Sequence, residues 1–355
     1  MAVPQPIRPA RELSAVQARY RKRVVDRLAS GEYHLEGVPL CQCGSADAER
    51  MSCADRFGLP VGVVMCLSCG LLRTTPRLAA ADLPAFYRDD YHGLHMGIER
   101  PDPETSLFSR GQGAEVYRYL RHRLEGHSLR IAEVGTGTGS VLREFADAAR
   151  HDGLATELVG CEYAPALVEA GRSVGTDIRQ GGVEALHGIE PPDVLILSHV
   201  LEHFADPAVE LQAIGQLVGP RSLVYVEVPG LLTIHHKPQY DYSFRAYVTL
   251  AHTYHFSRAT LTQTLRRGGF KLLSGDEVVR SAFAVDPEPG PPVVEPELAD
   301  RHREYLARLE KAPSLRARRA ALRGRRRLRR AVRAGARVVL GRTAGGGDRS
   351  LLRRG

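Results

Sequence analysis

The sequence predicts an α/β fold in which a mostly parallel sheet is doubly wound, with helices on both of its faces. Short apolar segments alternate with helical segments after residue 128, and a glycine-rich turn directly follows the first apolar segment. The segments with strand character are 129–134, 157–162, 176–180, 193–198 and 222–228. Such alternation gives parallel strands whose carboxyl ends lie together and bind ligands.

Helices are predicted between these strands and near the start of the chain. Leu13, Val16, Tyr20, Val24 and Leu28 recur at three-to-four spacing within residues 10–30, so a helix should end at Gly31. Later helices follow the glycine turn as far as residue 150, cover 165–175, begin near 206 and cover 258–267; the strands FKLLSG and VVRSAFAV close the fold. The predicted domains are an N-terminal helix (1–37), a cysteine-rich module (38–100), the α/β domain (101–286), a proline-rich linker (287–297) and a basic helical tail (298–355).

The glycine-rich turn has the character of a nucleotide-cofactor loop. In LRIAEVGTGTG (129–139) the glycines stand at 135, 137 and 139, where backbone N–H groups can approach a ligand closely. A dinucleotide fingerprint needs Gly or Ala at position 140, which is Ser140 here. Glu133 would repel a pyrophosphate but attract the ammonium group of a methionine moiety. The loop therefore favours S-adenosylmethionine (SAM) over a dinucleotide.

Glu162 ends the second apolar segment, 23 residues after Gly139. A carboxylate at this place in a doubly wound sheet binds the two ribose hydroxyls of a nucleotide cofactor. Each acid also has an ordinary interpretation, Glu133 as a surface residue and Glu162 as a neighbour of a helix N-terminus. The two acids together support the SAM interpretation.

Five of the six cysteines lie between residues 38 and 75, which predicts a metal site before disulfides in a cytoplasmic chain. Cys66-x-x-Cys69 is a good half-site, because two thiolates three residues apart can chelate one ion. The other half-site, Cys41-x-Cys43, is less regular because one residue separates its cysteines where two are usual. Cys53 is the substitute ligand if the sulfur of Cys41 does not reach the ion. We expect a structural Zn²⁺ bound by Cys41, Cys43, Cys66 and Cys69; reduced, unliganded cysteines and a redox C-x-x-C pair are the alternatives.

Three segments within residues 110–285 resemble the first, second and fourth strand motifs of class I SAM-dependent methyltransferases: LRIAEVGTGTG, VGCEYAP and DVLILSHVLEHFADP. The resemblance implies a Rossmann-like sheet of seven strands, the last antiparallel, and a methyl-donor pocket lined by the turn at 198–203. The expected cofactor contacts are Glu133, Gly135, Thr136, Gly137, Gly139, Glu162, Tyr163, Gly182, Val183, Ser198, His199 and Leu201, with 182–183 near the adenine.

The run from CLSCG to YHG (66–93) resembles the zinc-binding N-terminal module of nucleotide-sugar C-methyltransferases and related bacterial sugar-modifying enzymes. In such a module the zinc is structural. AHTYHFS (251–257) resembles the H-x-x-H/Y-F-S patch of the sugar methyltransferases, which places His252 at the histidine proposed to assist proton removal. Ala251 stands where the C-methyltransferases carry glutamate, which favours hydroxyl methylation or an unassigned acceptor. After residue 286 the sequence shows no counterpart of that group's further C-terminal α/β domain.

Histidines are the candidate proton acceptors, because imidazole titrates near neutral pH. The segment from 229 to 257 is rich in histidine and aromatic residues and is predicted to be a loop that covers the substrate. His252 is the first candidate base, His203 the second and His255 the third. Each is also compatible with a hydrogen-bonded structural histidine, and His203, like His199, belongs to the strand-to-helix turn as well.

The net charge of +8 is unevenly distributed, because residues 311–355 hold 16 basic residues and one acidic residue. This tail is predicted to be a solvated helix that packs on the acidic remainder of its own chain, or else a segment that binds an anionic membrane. Binding to nucleic acid is the least favoured alternative, because no aromatic residue that could stack on bases follows Tyr305. Its sparse apolar stripe is Leu315, Leu322, Leu328, Val332 and Val339. We expect a cytoplasmic protein, since the sequence has neither an apolar run of membrane-spanning length nor a secretory signal.

These patterns and resemblances imply a SAM-dependent methyltransferase that acts on a small polar acceptor. The expected acceptor is a sugar of a nucleotide-sugar, surface-glycan or natural-product pathway. Two other functions remain open at this point: a non-catalytic scaffold of the same fold, held on membrane or RNA by the basic tail, and an RNA methyltransferase.

Overall fold

The computed structural model describes residues 7–99, 110–288, 295, 297–322 and 324–325. Most of the predicted linker at 287–297 lies outside these residues. Leu328, Val332 and Val339 of the predicted tail stripe lie outside them as well.

The N-terminal part of the chain forms one long helix followed by small antiparallel sheets. Helix α1 (Ala15–Ser30) begins at a capping box between Ser14 and Gln17 and ends at the left-handed Gly31. The following strands are β1 (Leu35–Glu36), β2 (Ala48–Ser52), β3 (Val63–Cys66), β4 (Leu72–Thr74) and β5 (Arg77–Leu78), and helix α2 covers Leu83–Asp89. Strands β2, β3 and β4 pair antiparallel, and β1 pairs with β5.

A seven-stranded sheet forms the centre of the α/β domain. The later strands are β6 (Ser128–Val134), β7 (Ala155–Glu162), β8 (Ile178–Gln180), β9 (Val194–Ser198), β10 (Leu223–Glu227), β11 (Tyr254–His255), β12 (Phe270–Gly275) and β13 (Arg280–Val285). All of them except β11 belong to this sheet, in the order β12-β13-β10-β9-β6-β7-β8. Strand β13 is antiparallel to both neighbours and the remaining pairs are parallel. The predicted mostly parallel sheet of seven strands, the last antiparallel, is confirmed.

Helices cover both faces of this sheet because its strands are apolar on both sides. They are α3 (Gln112–Leu120), α4 (Ser140–His151), α5 (Pro165–Ser173), α6 (Pro207–Leu217) and α8 (Arg258–Arg267). Two further helices, α7 (Phe244–Tyr247) and α9 (Leu298–Lys311), pack with the N-terminal sheet. Phe145 of α4 packs with Ile131 of β6 on one face. Leu211 of α6 and Leu261 of α8 pack with Ala132 of β6 on the other face. Alternate residues of one strand therefore serve two separate cores.

Strand β11 joins the N-terminal sheet instead of the central one. Tyr254 pairs with Arg73 and His255 with Leu72, which gives a four-stranded sheet in the order β11-β4-β3-β2. The Thr74 hydroxyl donates a hydrogen bond of 2.6 Å to the carbonyl of His252, 178 residues away in the chain. Backbone pairing therefore joins the N-terminal part to the α/β domain.

The segment 229–257 is not the irregular loop that the sequence predicts. The segment forms 3₁₀ helices at Leu231–His236 and Pro238–Tyr240, helix α7 and strand β11. Ile234, Phe244 and Tyr247 are buried in one cluster with Val63 and Met65 of the N-terminal sheet. Their burial depends on a partner that is distant in the sequence, so the local composition does not reveal it.

Helix α9, which opens the predicted tail, packs on the N-terminal part of the chain. Leu298, Leu306 and Leu309 are buried, and Leu315, just beyond the helix, is buried too. His302 Nδ1 lies 2.9 Å from the carbonyl oxygen of Gly70. Within the described ranges, no helix combines the length and apolar character that crossing a membrane would require.

A buried aspartate fixes the turn after β2 to the segment before β11. One carboxylate oxygen of Asp55 accepts hydrogen bonds from the N–H groups of Phe57 and Leu59, at 2.9 and 2.8 Å, and the other accepts from Leu250 at 2.9 Å. Burial raises the pKa of Asp55 to about 6, against the opposing effect of these hydrogen bonds. The side chain is therefore a junction between the N-terminal part and the α/β domain.

Replacing Asp55 with Ala should lower the free energy of unfolding by about 3 kcal/mol, because three buried N–H groups lose their acceptor. Urea unfolding followed by circular dichroism measures this change. Asp26→Ala is the control, since Asp26 is exposed and pairs only with Lys22 on α1, and it should cost less than about 0.5 kcal/mol. Equal losses in the two variants would contradict the assignment.

Candidate functional site

A cavity of about 340 Å³ lies at the carboxyl ends of β6, β7 and β9. The strand order reverses between β6 and β9, which is where doubly wound sheets bind ligands. The predicted cofactor residues that line this cofactor cavity are Glu133, Gly135, Thr136, Gly137, Glu162, Tyr163, Gly182, Val183, Ser198 and His199. Gly139 and Leu201 are not in the lining: Gly139 precedes α4, and Leu201 is fully buried in the core.

The three glycines of the turn have different physical roles. Each has a positive φ, of 67° at Gly135, 58° at Gly137 and 74° at Gly139. A Cβ at Gly135 would lie 2.5 Å from Val200, and one at Gly139 would lie 2.7 Å from Thr176, so these glycines permit close packing. A Cβ at Gly137 would meet nothing within 4 Å. Gly137 therefore presents open backbone to the cofactor cavity.

Two backbone N–H groups hold the carboxylate of Glu162 in place. Its Oε2 accepts from Gly137 at 3.1 Å and its Oε1 accepts from Ala164 at 2.9 Å. Burial raises the pKa of Glu162, and these hydrogen bonds oppose the rise. The fixed carboxylate keeps further lone pairs, which can accept hydrogen bonds from a diol in the cavity.

Glu133 lies in the wall of the same cavity but is almost completely buried. Its Oε2 accepts a hydrogen bond of 2.6 Å from the Thr136 hydroxyl. Burial raises the pKa of Glu133 to about 8, which this hydrogen bond opposes. A nearby cation, such as an ammonium group, would favour the ionised form.

A second cavity, of about 580 Å³, adjoins the cofactor cavity. Residues of the N-terminal part, among them Arg56 and His95, line it together with residues of the α/β domain. The wall common to the two cavities consists of Tyr91, Gln112, His199 and His203. Two ligands bound in these cavities would therefore meet at this common wall.

Of the three candidate bases, the structure brings His203 and His252 together. Their ring centroids are 4.9 Å apart and both line the adjoining cavity. His203 Nδ1 lies 2.9 Å from the carbonyl of Ala251, which can only accept, so Nδ1 carries the proton and Nε2 has the lone pair. Nδ1 of the buried His252 has no hydrogen-bond partner among the described residues. Burial lowers the pKa of both imidazoles, so both rings are neutral at pH 7.

His255 lies apart from both cavities. It is buried in β11, where its Nε2 lies 3.3 Å from the hydroxyl of Thr74, and burial lowers its pKa to about 3. It is absent from the lining of either cavity. This geometry favours the structural interpretation of His255 over a catalytic one.

Sequence reasoning misses several residues of the adjoining cavity. Arg56, Tyr91 and His95 come from the N-terminal part, and Glu202 precedes His203 in the turn after β9. The density of tyrosine and histidine over residues 87–95 is a signal that could have indicated the first group. Glu202 has no such signal, because only the fold shows that its side chain is buried beside two histidines.

The structure also brings four cysteines together. The Sγ atoms of Cys41 and Cys69 are 3.5 Å apart, as are those of Cys43 and Cys66, and all four lie within 4.8 Å of one another. Cys53 is exposed and stands outside the group. The four thiols form a compact set with the spacing that tetrahedral metal coordination requires.

Residues 109–274 match the family model described as a methyltransferase domain. Comparison with curated proteins gave no match.

Solved structures overlap parts of the chain. A chain of the Haloferax volcanii complex containing the Trm112 methyltransferase activator is 16% identical, covers 58% of this chain and 99% of its own length, and has a TM-score of 0.44. An S-adenosylmethionine-dependent methyltransferase from Clostridium acetobutylicum is 7% identical, with coverages of 50% and 91% and a TM-score of 0.39. CalS10, an amino pentose methyltransferase from Micromonospora echinaspora involved in calicheamicin biosynthesis, is 20% identical, with coverages of 34% and 50% and a TM-score of 0.29. We draw no conclusion from overlaps at these scores.

The matched residues contain the glycine turn, Glu133 and Glu162, and the sheet around them has the expected seven strands, the last antiparallel. The residues of the cofactor cavity fit SAM. Gly137 offers open backbone beside the carboxylate of Glu162, which suits a ribose, and the carboxylate of Glu133 in the same lining suits an ammonium group. Residues 109–274 are therefore a methyltransferase domain of the class I, SAM-dependent type.

Glu162→Gln should weaken SAM binding about ten- to a hundredfold, because the hydrogen bonds from the ribose to a charged acceptor are lost. Calorimetric titration with SAM and with its demethylated product measures the affinity. Glu157→Gln, on the exposed side of the same strand, should bind like the wild type. A Glu162→Gln enzyme with undiminished affinity would remove the ribose assignment.

Proposed function

We propose that this enzyme methylates a hydroxyl group of a small polar acceptor of the sugar class, seated in the adjoining cavity. The observation that supports it is the common wall between this cavity and the cofactor cavity. An acceptor held there would lie next to a methyl donor held at the carboxyl ends of the strands. The reaction needs this proximity, because methyl transfer is an in-line displacement between two bound molecules.

The lining of the adjoining cavity suits a sugar better than it suits RNA. It contains three cationic side chains, Arg11, Arg56 and Lys237, and three carboxylates, Glu115, Glu202 and Glu227. Sugar hydroxyls both donate and accept hydrogen bonds, so a lining with both kinds of partner can bind them. A polyanion such as RNA requires an excess of cationic side chains along its path. The volume lies in the range of small-molecule sites.

When bound, SAM supplies an electrophilic methyl group on a sulfonium sulfur, which keeps the electron pair of the broken S–C bond. The acceptor oxygen forms the new C–O bond with its own lone pair and must release its proton. His203 lies in the common wall, and His252 is directly behind it in the adjoining cavity. Because both rings are neutral at pH 7, their lone pairs can assist the departure of that proton.

Metabolite profiling with an isotopically labelled methyl donor tests the proposal directly. Cells with the wild-type enzyme should accumulate label in a sugar-containing product, and cells with Gly137→Asp should not, because the new carboxylate would stand beside Glu162 in the cofactor cavity. Gly153→Asp is the control: Gly153 also has a positive φ and open space around its Cα, but it lies in the turn after α4, outside the cavity lining.

Label that appears only in RNA would contradict the proposed acceptor. A complete absence of enzyme-dependent label, with SAM binding intact, would favour the non-catalytic scaffold.

We also propose that Cys41, Cys43, Cys66 and Cys69 bind one structural Zn²⁺. The sulfur spacing supports this, since the ligands of a tetrahedral Zn²⁺ with Zn–S bonds of about 2.3 Å lie about 3.8 Å apart, close to the 3.5 Å between the paired sulfurs here. The site lies between β3 and the turn that α9 covers, where it would fix the N-terminal sheet. No reacting group of the proposed mechanism lies among these cysteines.

Elemental analysis of unchelated protein should find about one zinc per chain that depends on the four cysteines. Cys66→Ser should lose that zinc, because three thiolates bind the ion more weakly than four, and it should also unfold more readily. Cys53→Ser, which removes the exposed cysteine outside the group, should retain it. Equal zinc contents in the two variants would contradict the proposed ligand set.

A further inference from the structure

A second group of metal-ligating side chains lies at the wall between the two cavities. Glu202, His203 and His252 each offer one ligand atom, and these atoms all lie within 4.8 Å of one another. All three residues line the adjoining cavity, and His203 lines the cofactor cavity as well. The group contains only nitrogen and oxygen ligands, unlike the four thiols of the N-terminal part.

Glu202 is the member of this group that most requires a cation. The residue is 1% exposed, and neither carboxylate oxygen has a hydrogen-bond partner among the described residues. Nδ1 of His199 lies 3.5 Å away, and although burial lowers the pKa of that imidazole, its contact with Glu202 raises it; Nε2 of His203 lies 3.9 Å away. Buried carboxylates are ordinarily paired, hydrogen-bonded or bound to a metal.

The backbone holds the three side chains at one place. Thr253 donates two hydrogen bonds to the carbonyl of Glu202, from its N–H at 2.8 Å and from its hydroxyl at 2.9 Å. His203 Nδ1 donates in the same way to the carbonyl of Ala251. These contacts join the turn after β9 to the residues on either side of His252. The arrangement is therefore built into the fold.

The orientation of His203 is that of a metal ligand. Metal-bound histidines donate their second ring N–H to a carbonyl or carboxylate, which fixes the ring and leaves the other nitrogen for the ion. In His203 the donating nitrogen is Nδ1, so Nε2 is the available ligand, and it is the nitrogen that approaches Glu202.

We propose that Glu202, His203 and His252 bind a divalent transition-metal ion such as Mn²⁺, Fe²⁺ or Zn²⁺. Two imidazoles and one carboxylate on one side of an ion leave its other coordination positions open. Those positions would face the adjoining cavity. The role of the ion rests on the proposed function: a coordinated acceptor hydroxyl would lose its proton to water at a lower pH than a free one, and the two histidines would then be ligands in place of proton acceptors.

Mn²⁺ is the probe for this site, because imidazole and carboxylate accept it while four thiolates select softer ions. The free ion gives a six-line electron paramagnetic resonance signal that disappears on binding, so a titration of the full chain counts bound ions. The wild type should bind about one Mn²⁺ per chain, and Glu202→Gln and His252→Gln should each weaken that binding more than about tenfold.

One control makes the result specific. Glu115→Gln removes an exposed carboxylate that lines the same cavity outside the group, and it should bind Mn²⁺ like the wild type. Calorimetric SAM binding by the same preparations shows that Glu202→Gln and His252→Gln remain folded.

A wild-type chain that takes up no Mn²⁺ would overturn the proposal, as would undiminished binding by Glu202→Gln or loss of binding in Glu115→Gln. In the first case protonated His199 would balance the charge of Glu202. Labelled methyl transfer to a sugar in the absence of Mn²⁺ binding would reject the metal site and leave the proposed function standing.

Discussion

The structure depends on the short antiparallel pairing between β4 and β11. This pairing, with the hydrogen bond from Thr74 to the carbonyl of His252, places one segment of the α/β domain against the N-terminal sheet. On its other side the same segment is joined to the turn after β9 through Thr253. Without these contacts the cofactor cavity could still exist, but the adjoining cavity would lose one of its walls. The cavity that we propose for the acceptor therefore depends on the junction between the two parts of the chain.

Four carboxylates with little solvent exposure differ in the groups that compensate their negative charge. Asp55 has three backbone N–H donors, Glu162 has two and Glu133 has the hydroxyl of Thr136. Glu202 has none among the described residues. A buried charge is costly unless it is compensated. The protein supplies hydrogen-bond donors to the first three carboxylates, whereas Glu202 has the imidazoles of His199 and His203 at 3.5 and 3.9 Å without a hydrogen bond, which is why we propose that it binds a cation.

The N-terminal part has two distinct tasks in this architecture. The contact between His302 and Gly70 fixes the turn after β3, beside the four thiols for which we propose a structural zinc. Arg56, Tyr91 and His95 then extend from this part into the wall of the adjoining cavity. The N-terminal part therefore contributes polar residues to the adjoining cavity, in which we propose that the substrate binds, while the cofactor cavity lies at the central sheet.

The sequence by itself determined the central sheet, the glycine turn and the carboxylates at the ends of β6 and β7. These features are local: strand length, helical spacing and glycines at 135, 137 and 139 are visible in short windows of sequence, and the resemblance of their motifs gave the strand count. The cysteine spacing is likewise local, although the choice of Cys41 over Cys53 needed the structure. The tertiary structure alone decided the packing of 229–257, the separation of His255 from the cavities and the meeting of Glu202 with His252. Those outcomes depend on contacts between residues far apart in the chain, and a single sequence carries no signal for which distant partner will bury a given side chain.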